Sequence, residues 1–436
     1  MIAPRPLLGF WMCVALVVGN TIGSGVFLLP ASLAPFGLNS VVAWGFTASG
    51  AIALAIVFAR LSRAYPQAGG PYAYVHVAFG PLIAFIVAWG YWISIWVGNV
   101  SIATAAVSYL SPLMPWIAAK PGASALATLL LLWLLTFVNW CGIKASGWVQ
   151  AVTTVLKILP LLAVAALGLV SVRSSTAGAA LHVPLSVSGV TAAATLTLWA
   201  LLGLESATIP ADKVSSPGRT IPLATLLGTV VTALICAVAC TTALLLLPPA
   251  TLAQSNAPFV DLAAQYWGIG AGKLVAVFAA ISAFGALNGW ILLQGELPRA
   301  MAIRGEFPRI FARESVHDTP GFGLCFGSAL ATLLIVANYQ KSMVSVFTFM
   351  ILLSTTACLV MYALSSLALL RLQWTGELGP ARFGSLPMAI VGVFATAYSL
   401  WAIVGAGAEA VLWGAALLLA GVPLYYWFRS SRQEPV

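Results

Sequence analysis

The sequence has very little charge. Aspartate, glutamate, lysine and arginine make up 7% of its 436 residues, against about 25% in an ordinary soluble domain. Hydrophobic residues make up 61%. Nineteen basic and ten acidic side chains cannot cover the water-facing surface of a chain this long. This composition excludes a soluble enzyme, a nucleic-acid-binding module and a disordered chain.

Motifs for catalysis, metal binding and disulfide formation are also missing. The six cysteines lie in or beside apolar runs and form no Cys-x-x-Cys pair, so we interpret them as apolar packing residues. His76, His182 and His317 fall in or near loops. The sequence has no His-Glu-x-x-His motif and no phosphate loop. We therefore expect neither an enzyme nor a metal or cofactor site.

The sequence is rich in long, continuous apolar runs. A membrane-crossing helix needs about 20 such residues, and the strands of an outer-membrane barrel would alternate with polar residues instead. The pattern predicts an all-α polytopic membrane protein of twelve transmembrane helices, with residues 1–436 forming one domain. The predicted runs are 7–35, 39–60, 80–113, 123–141, 147–171, 190–211, 221–247, 271–302, 321–337, 342–370, 386–405 and 409–428. The polar stretch 296–320 is expected to include a helix along the membrane surface.

Lysine and arginine are distributed unevenly between the two sets of loops. Lys157 lies inside a run, and the other set of loops carries only Lys120, Arg173, Lys273 and Lys341. Because basic loops stay in the cytoplasm, both termini are predicted to be cytoplasmic. The charges are spread over many loops, which makes a polybasic lipid-binding patch the weaker interpretation. The basic side would hold Arg5, Arg60, Arg63, Lys144, Lys213, Arg219, Arg299, Arg304, Arg309, Arg313, Arg371, Arg382, Arg429 and Arg432.

Two of the runs contain polar, glycine-rich interruptions. Run 1 contains Gly19–Gly25 at mid-span, and run 6 contains Gly203–Ser206 with an embedded acid, Glu205. Unwound backbone inside a membrane survives only where it lines a cavity. Its free N–H and carbonyl groups suit a carboxylate and an ammonium, and an amino acid carries both. Glycines also serve as helix-packing contacts, but two breaks five helices apart favour unwinding.

The positions of the breaks predict an inverted repeat. Runs 1 and 6 would open two five-helix repeats, at about 7–171 and 190–370, with two further helices at about 386–428. A channel would instead want a ring of repeated filter residues, which a monomeric inverted repeat does not supply.

Several stretches resemble a known family. The sequence is similar to the amino acid–polyamine–organocation (APC) superfamily, and most similar to its bacterial arginine/agmatine and basic amino acid/polyamine antiporters. The similarity extends over runs 1 to 10. The stretches are GNTIGSGVFLLP (Gly19–Pro30), AGGPYAYVHVAFGP (Ala68–Pro81), YWISIWVGN (Tyr91–Asn99), TLWALLGLESA (Thr197–Ala207), LNGWILL (Leu287–Leu293) and GEFPRIFAR (Gly305–Arg313).

The resemblance implies a substrate site between the two breaks. The substrate carboxylate would lie against Ser24 and Gly25, and its amino group against carbonyls near Thr21, Trp199 and Leu202. The side-chain end would meet Trp290, Asn99 and Ser354. All eight residues are present in the sequence.

The resemblance also implies a gate on each side of the substrate. Trp199 would cover the substrate from outside, and Tyr91, Glu205 and Tyr362 would close the inner side, with Tyr72 further along the cytoplasmic exit. Glu205 is a candidate for gating or proton coupling. The alternative is that its carboxyl only holds the unwound backbone together.

Two residues depart from the antiporter pattern. Ile95 stands where a smaller, more polar residue is expected, and predicts a narrower or drier pocket. Lys157 stands at an apolar position, as in proton-coupled and exchange-type permeases of the superfamily, where the ammonium takes the place of a sodium ion. The alternative is that Lys157 extends to an aqueous edge.

Two functions therefore stay open. The first is exchange of a basic amino acid or its amine across a bacterial cytoplasmic membrane. The alternative is a proton-coupled permease or exchanger of small neutral amino acids that uses Lys157. The partners expected are a small-molecule substrate and the lipid bilayer, and not nucleic acid. Coupling to protons and a homodimer are open.

Overall fold

The fold was analysed in a computed structural model of the chain. It describes residues 9–23, 25–66, 69–120, 122–141, 143–171, 183–208, 211, 214–315, 319–379 and 384–430.

Every long regular element in the described residues is an α-helix. Short 3₁₀ turns occur at Ala34–Phe36, Ser206–Thr208 and Arg309–Ala312. The α-helices are α1 (Phe10–Thr21), α2 (Gly25–Leu33), α3 (Leu38–Ala64), α4 (Pro71–Phe79), α5 (Pro81–Leu110), α6 (Trp116–Ala119), α7 (Ala123–Trp140), α8 (Ile143–Ser171), α9 (Val187–Trp199), α10 (Pro217–Leu246), α11 (Pro249–Gln254), α12 (Pro258–Trp267), α13 (Ile269–Ile303), α14 (Gly321–Ala337), α15 (Met343–Trp374), α16 (Ser385–Gly405) and α17 (Gly407–Ser430).

The helices account for all twelve predicted runs. Eight of those described are each long and apolar enough to cross a bilayer, and the bent pair α1–α2 makes a ninth. Three shorter apolar helices, Ile158–Ser171, α9 and α14, match the remaining runs. The prediction of an all-helical, twelve-span membrane protein is confirmed.

The helix α5 lies at the centre of the bundle. It packs against α15, α13, α7 and α14, and it is buried on nearly every face. A helix that is apolar all round belongs in such an interior. Small side chains at Gly98, Ala103 and Ala106 allow its neighbours to approach closely.

Both predicted breaks are present. The first segment ends its α-helix at Thr21, the Gly23 N–H closes a tight turn onto the Thr21 carbonyl (2.8 Å), and α2 starts at Gly25. The halves are bent by 40°. Ser24, which was predicted to hold the substrate carboxylate, lies outside the described residues.

The second break follows α9. Residues 200–205 form successive turns, in which the Leu201 N–H donates to the Leu198 carbonyl (2.8 Å) and the Leu202 N–H to the Trp199 carbonyl (3.3 Å). Gly203 has a φ of +99°, a conformation that glycine adopts without steric cost. The helix therefore stops where the sequence places its glycine and its acid.

The surface helix predicted within 296–320 is wrong for the described part of that stretch. The helix α13 continues to Ile303, and only the 3₁₀ turn Arg309–Ala312 follows. Phe307 and Phe311 do not lie along the surface, because their rings pack into an aromatic cluster that includes Phe85. A short helix occurs instead at α4, between α3 and α5.

Candidate functional site

A small cavity lies where the two broken helices meet α5, α13 and α15. Its volume is about 30 Å³, which is room for about one water molecule. The side chains that line the cavity therefore leave little free space between them. The wall consists of Asn20, Thr21, Gly23, Gly25, Tyr91, Ser94, Ile95, Gly98, Ile102, Trp199, Leu202, Glu205, Trp290, Ser354 and Cys358.

The structure brings most of the predicted site residues into this wall. From the broken helices these are Thr21, Gly25, Trp199, Leu202 and Glu205, and from the continuous helices Tyr91, Trp290 and Ser354. The hydroxyl of Thr21 is engaged within the protein, because it donates to the Val17 carbonyl and contacts Thr232 Oγ1 on α10 (3.2 Å).

The other predicted residues lie elsewhere or cannot be placed. Tyr362 is one hydrogen bond behind the wall, since it contacts Glu205. Asn99 is buried against Gln294, and Tyr72 lies at the α4 end of the bundle. The backbone of Lys157 belongs to α8, but its side chain lies outside the described part of the structure.

Trp199 covers one side of the cavity. A Cβ placed on Gly25 would lie 2.1 Å from Trp199 Nε1, and one on Gly98 would lie 3.0 Å from its Cη2. The indole therefore extends from the start of α2 to the middle of α5, in space that only glycine leaves open at position 25.

Trp290 packs against the second break. A Cβ on Gly203 would lie 3.4 Å from Trp290 Cζ2 and 3.4 Å from the Asn20 carbonyl carbon. The ring thus lies beside Gly203 at the second break, and Gly203 in turn lies beside Asn20 near the end of α1.

Glu205 is the acid of the cavity, and it is fully buried. Its Oε2 accepts a hydrogen bond from the Tyr362 hydroxyl (2.6 Å). The Tyr91 hydroxyl and the Gly203 N–H face the same carboxyl, yet neither Oε1 nor the Tyr91 hydroxyl forms a hydrogen bond with a described residue.

No cation of the described side chains pairs with this acid. The ion pairs among those residues all involve Arg299, with Glu296 and Glu314. A buried carboxylate without a partner is costly. The position therefore favours a cationic ligand or a proton.

Sequence reasoning missed several wall residues. Ser94 is among them: its hydroxyl contacts Ser354 Oγ (3.0 Å), and the Ser354 hydroxyl in turn donates to the Ser94 carbonyl (2.7 Å). Helical spacing from Tyr91 would have found it, because residues three, four, seven and eleven positions on share that face. The others are Asn20, Gly23, Gly98, Ile102 and Cys358.

Tyr72 belongs to a second polar cluster, at the α4 end. Its hydroxyl donates to Glu306, and the Arg304 guanidinium lies 4.7 Å from the centre of its ring. Burial, followed by the bond to Glu306, raises the pKa of Tyr72 well above the usual 10. In the described residues no group of acids, histidines or cysteines is arranged to hold a metal ion.

Residues 8–428 match the sequence model of the amino acid permease family. The chain belongs to this family.

Curated relatives align over most of the chain. The putrescine transporter PotE of Haemophilus influenzae is 31% identical, over 98% of both chains. The cadaverine/lysine antiporter of Escherichia coli K12 is 33% identical over 76% of this chain and 74% of its own. PotE of Escherichia coli K12 is 31% identical over 94% and 93%. The protein is therefore an integral membrane transporter of the amino acid and polyamine class, and not an enzyme.

Proposed function

We propose that the protein exchanges a basic amino acid or its diamine across the bacterial cytoplasmic membrane. The observation that carries the proposal is the Glu205 carboxyl, which is fully buried at the cavity and has one oxygen without a hydrogen-bond partner among the described residues. A ligand ammonium supplies both the missing charge and the missing donor.

The rest of the cavity wall supports a cation. Trp290 and Trp199 present aromatic rings beside the carboxyl, and a cation over a tryptophan face gains about 0.5–2 kcal/mol. The described residues of the wall include no basic side chain. The relatives' names point the same way, since they specify putrescine and the pair cadaverine and lysine.

We infer that transport proceeds by alternating access around this cavity. Trp199 would act as the outer cover, and Glu205 with Tyr362 and Tyr91 as the inner closure. The excess of basic residues in one set of loops supports a cytoplasmic location for both termini. The chain would act as one domain, with repeats at about 7–171 and 190–370 and added helices at about 386–428.

The test is transport by the purified protein in liposomes. Vesicles loaded with unlabelled putrescine are expected to take up labelled putrescine or lysine faster than empty ones, because exchange couples the two fluxes. Uptake of alanine or serine, with no response to any diamine or basic amino acid, would contradict the proposal.

One observation favours a second candidate, a carrier of small neutral amino acids. The cavity is only about 30 Å³, and Ile95 and Ile102 contribute an apolar wall. This candidate assigns proton coupling to Lys157. Lys157→Ala would then abolish pH-dependent uptake of alanine, whereas unaltered pH-dependent uptake would remove Lys157 from the mechanism.

A further inference from the structure

Asn99 has a buried oxygen that the protein leaves without a partner. The residue is fully buried on α5, next to Gly98 of the cavity wall. Its Nδ2 donates to Gln294 Oε1 (2.9 Å), but its Oδ1 accepts no hydrogen bond from a described residue. Buried polar atoms normally have partners, so this oxygen needs an explanation.

The orientation of the Asn99 amide is set by Gln294. The Gln294 Nε2 donates to the Leu324 carbonyl (2.9 Å) and to Ser328 Oγ (3.0 Å). A carbonyl can only accept, so the Gln294 amide cannot turn round, and its Oε1 must face Asn99. Asn99 therefore has to present its NH₂ group to Gln294 and keep its oxygen for another donor.

Gln294 is itself held firmly. The Ser328 hydroxyl that accepts from it also contacts Thr136 Oγ1 on α7 (2.7 Å). Gly327 leaves the space, since a Cβ there would lie 2.3 Å from Gln294 Cγ. Gln294 follows Trp290 by four residues on α13, so the two share a helix face.

We propose that Gln294 is a positioning residue for substrate recognition. Gln294 lies one helical turn beyond Trp290 on α13. It holds Asn99 so that Asn99 Oδ1 accepts a hydrogen bond from the distal ammonium of a diamine or basic amino acid. This rests on the proposed function, because a diamine or basic amino acid brings a second cationic group that can donate to that oxygen.

The test is a double-mutant cycle on the full-length protein in liposomes, with the KM for labelled putrescine as the readout. Gln294→Met keeps the size of the side chain but lets the Asn99 amide turn, so the KM should rise about tenfold. In an Asn99→Leu background the same substitution should add nothing. Thr136→Val, which removes a bond of the same network without touching Asn99, should leave the KM within about twofold.

A second variant disturbs the same side chain from α14. Gly327→Ala displaces the Gln294 side chain and should raise the KM in the same way. An unchanged KM in the Gln294→Met protein, or equal effects of Gln294→Met with and without Asn99, would overturn the role of Gln294. If the wild-type protein takes up no diamine or basic amino acid, the proposed function fails first, and this inference fails with it.

Discussion

Two tyrosine–glutamate pairs occur at different depths of the molecule, and only one of them has a described cation of the protein beside it. The buried pair is Tyr362–Glu205, at the cavity. The rim pair is Tyr72–Glu306, at the α4 end. In each, a tyrosine hydroxyl donates to a carboxylate. The rim pair has a cation of its own, because Arg304 lies over the Tyr72 ring.

The buried pair has an aromatic neighbour, Trp290, but no described cation of the protein lies over that ring or against Glu205. Each carboxyl keeps one oxygen without a hydrogen-bond partner among the described residues, so the pairs differ only in the cation: the protein supplies one beside the rim pair, and no described residue supplies one to the buried pair. On the proposed function, the difference is that the rim carboxylate has a cation of the protein beside it, whereas the buried carboxylate would receive its cation from the substrate.

The largest effect is expected from removing the charge of the buried pair. Glu205→Gln keeps an acceptor for Tyr362 but takes away the charge, so putrescine uptake into liposomes should fall about 100-fold or more. Glu306→Gln is the matched control and should cost less than about fivefold, since partly exposed pairs contribute little. Equal losses in the two variants would erase the distinction.

The next effect concerns the aromatic neighbour of the buried pair. Trp290→Ala should raise the KM for a cationic substrate about tenfold, because a cation–π contact is lost. Competition assays should show a much smaller change for neutral amino acids. Trp133→Ala, which truncates an exposed tryptophan on α7, should change neither. A loss that is the same for charged and neutral competitors would make Trp290 a packing residue only.

Removing each tyrosine hydroxyl should give a smaller difference. Tyr362→Phe leaves a buried carboxylate oxygen without its donor, so the exchange rate should fall about tenfold. Tyr72→Phe should lower it by less than about threefold, because Glu306 is only partly buried. Rates measured in the same lipid mixture test the order, and the reverse order would contradict the comparison.

The smallest effect is the pH response of the rim pair. Burial and Glu306 raise the pKa of Tyr72 above 10, so its hydroxyl keeps the proton it donates. The contribution of that bond is present below the ordinary tyrosine pKa and is lost as the pH rises through the raised value. The ratio of wild-type to Tyr72→Phe rates should stay constant from about pH 6 to about pH 9. A decline within that range would show that another group titrates.

The sequence predicted the elements whose cause is local. Glycines beside polar residues in an apolar run interrupt a helix wherever the helix packs, so the breaks at Gly23 and Gly203 could be located in advance. Glu205 could be selected as a candidate functional residue because an acid at that depth in the membrane is energetically costly. Run boundaries followed from hydrophobicity alone.

Features that depend on contact between distant helices could not be predicted. The bond between Asn99 and Gln294 requires the register of α5 against α13, and neither residue's neighbours encode it. The chain after Ile303 was expected to lie on the surface. Phe307 and Phe311 instead pack into an aromatic cluster that the local sequence pattern does not indicate.

The contact between Gly25 and Trp199 bears on how such a carrier avoids leaks. The Trp199 indole fills the space that a side chain at position 25 would need. A substrate carboxylate held at Gly25 would therefore compete with the indole for the same space, and the site with substrate would differ in shape from the site without it. An exchanger depends on that difference. In the proposed exchange, the position of the Trp199 indole would then depend on whether a substrate is bound.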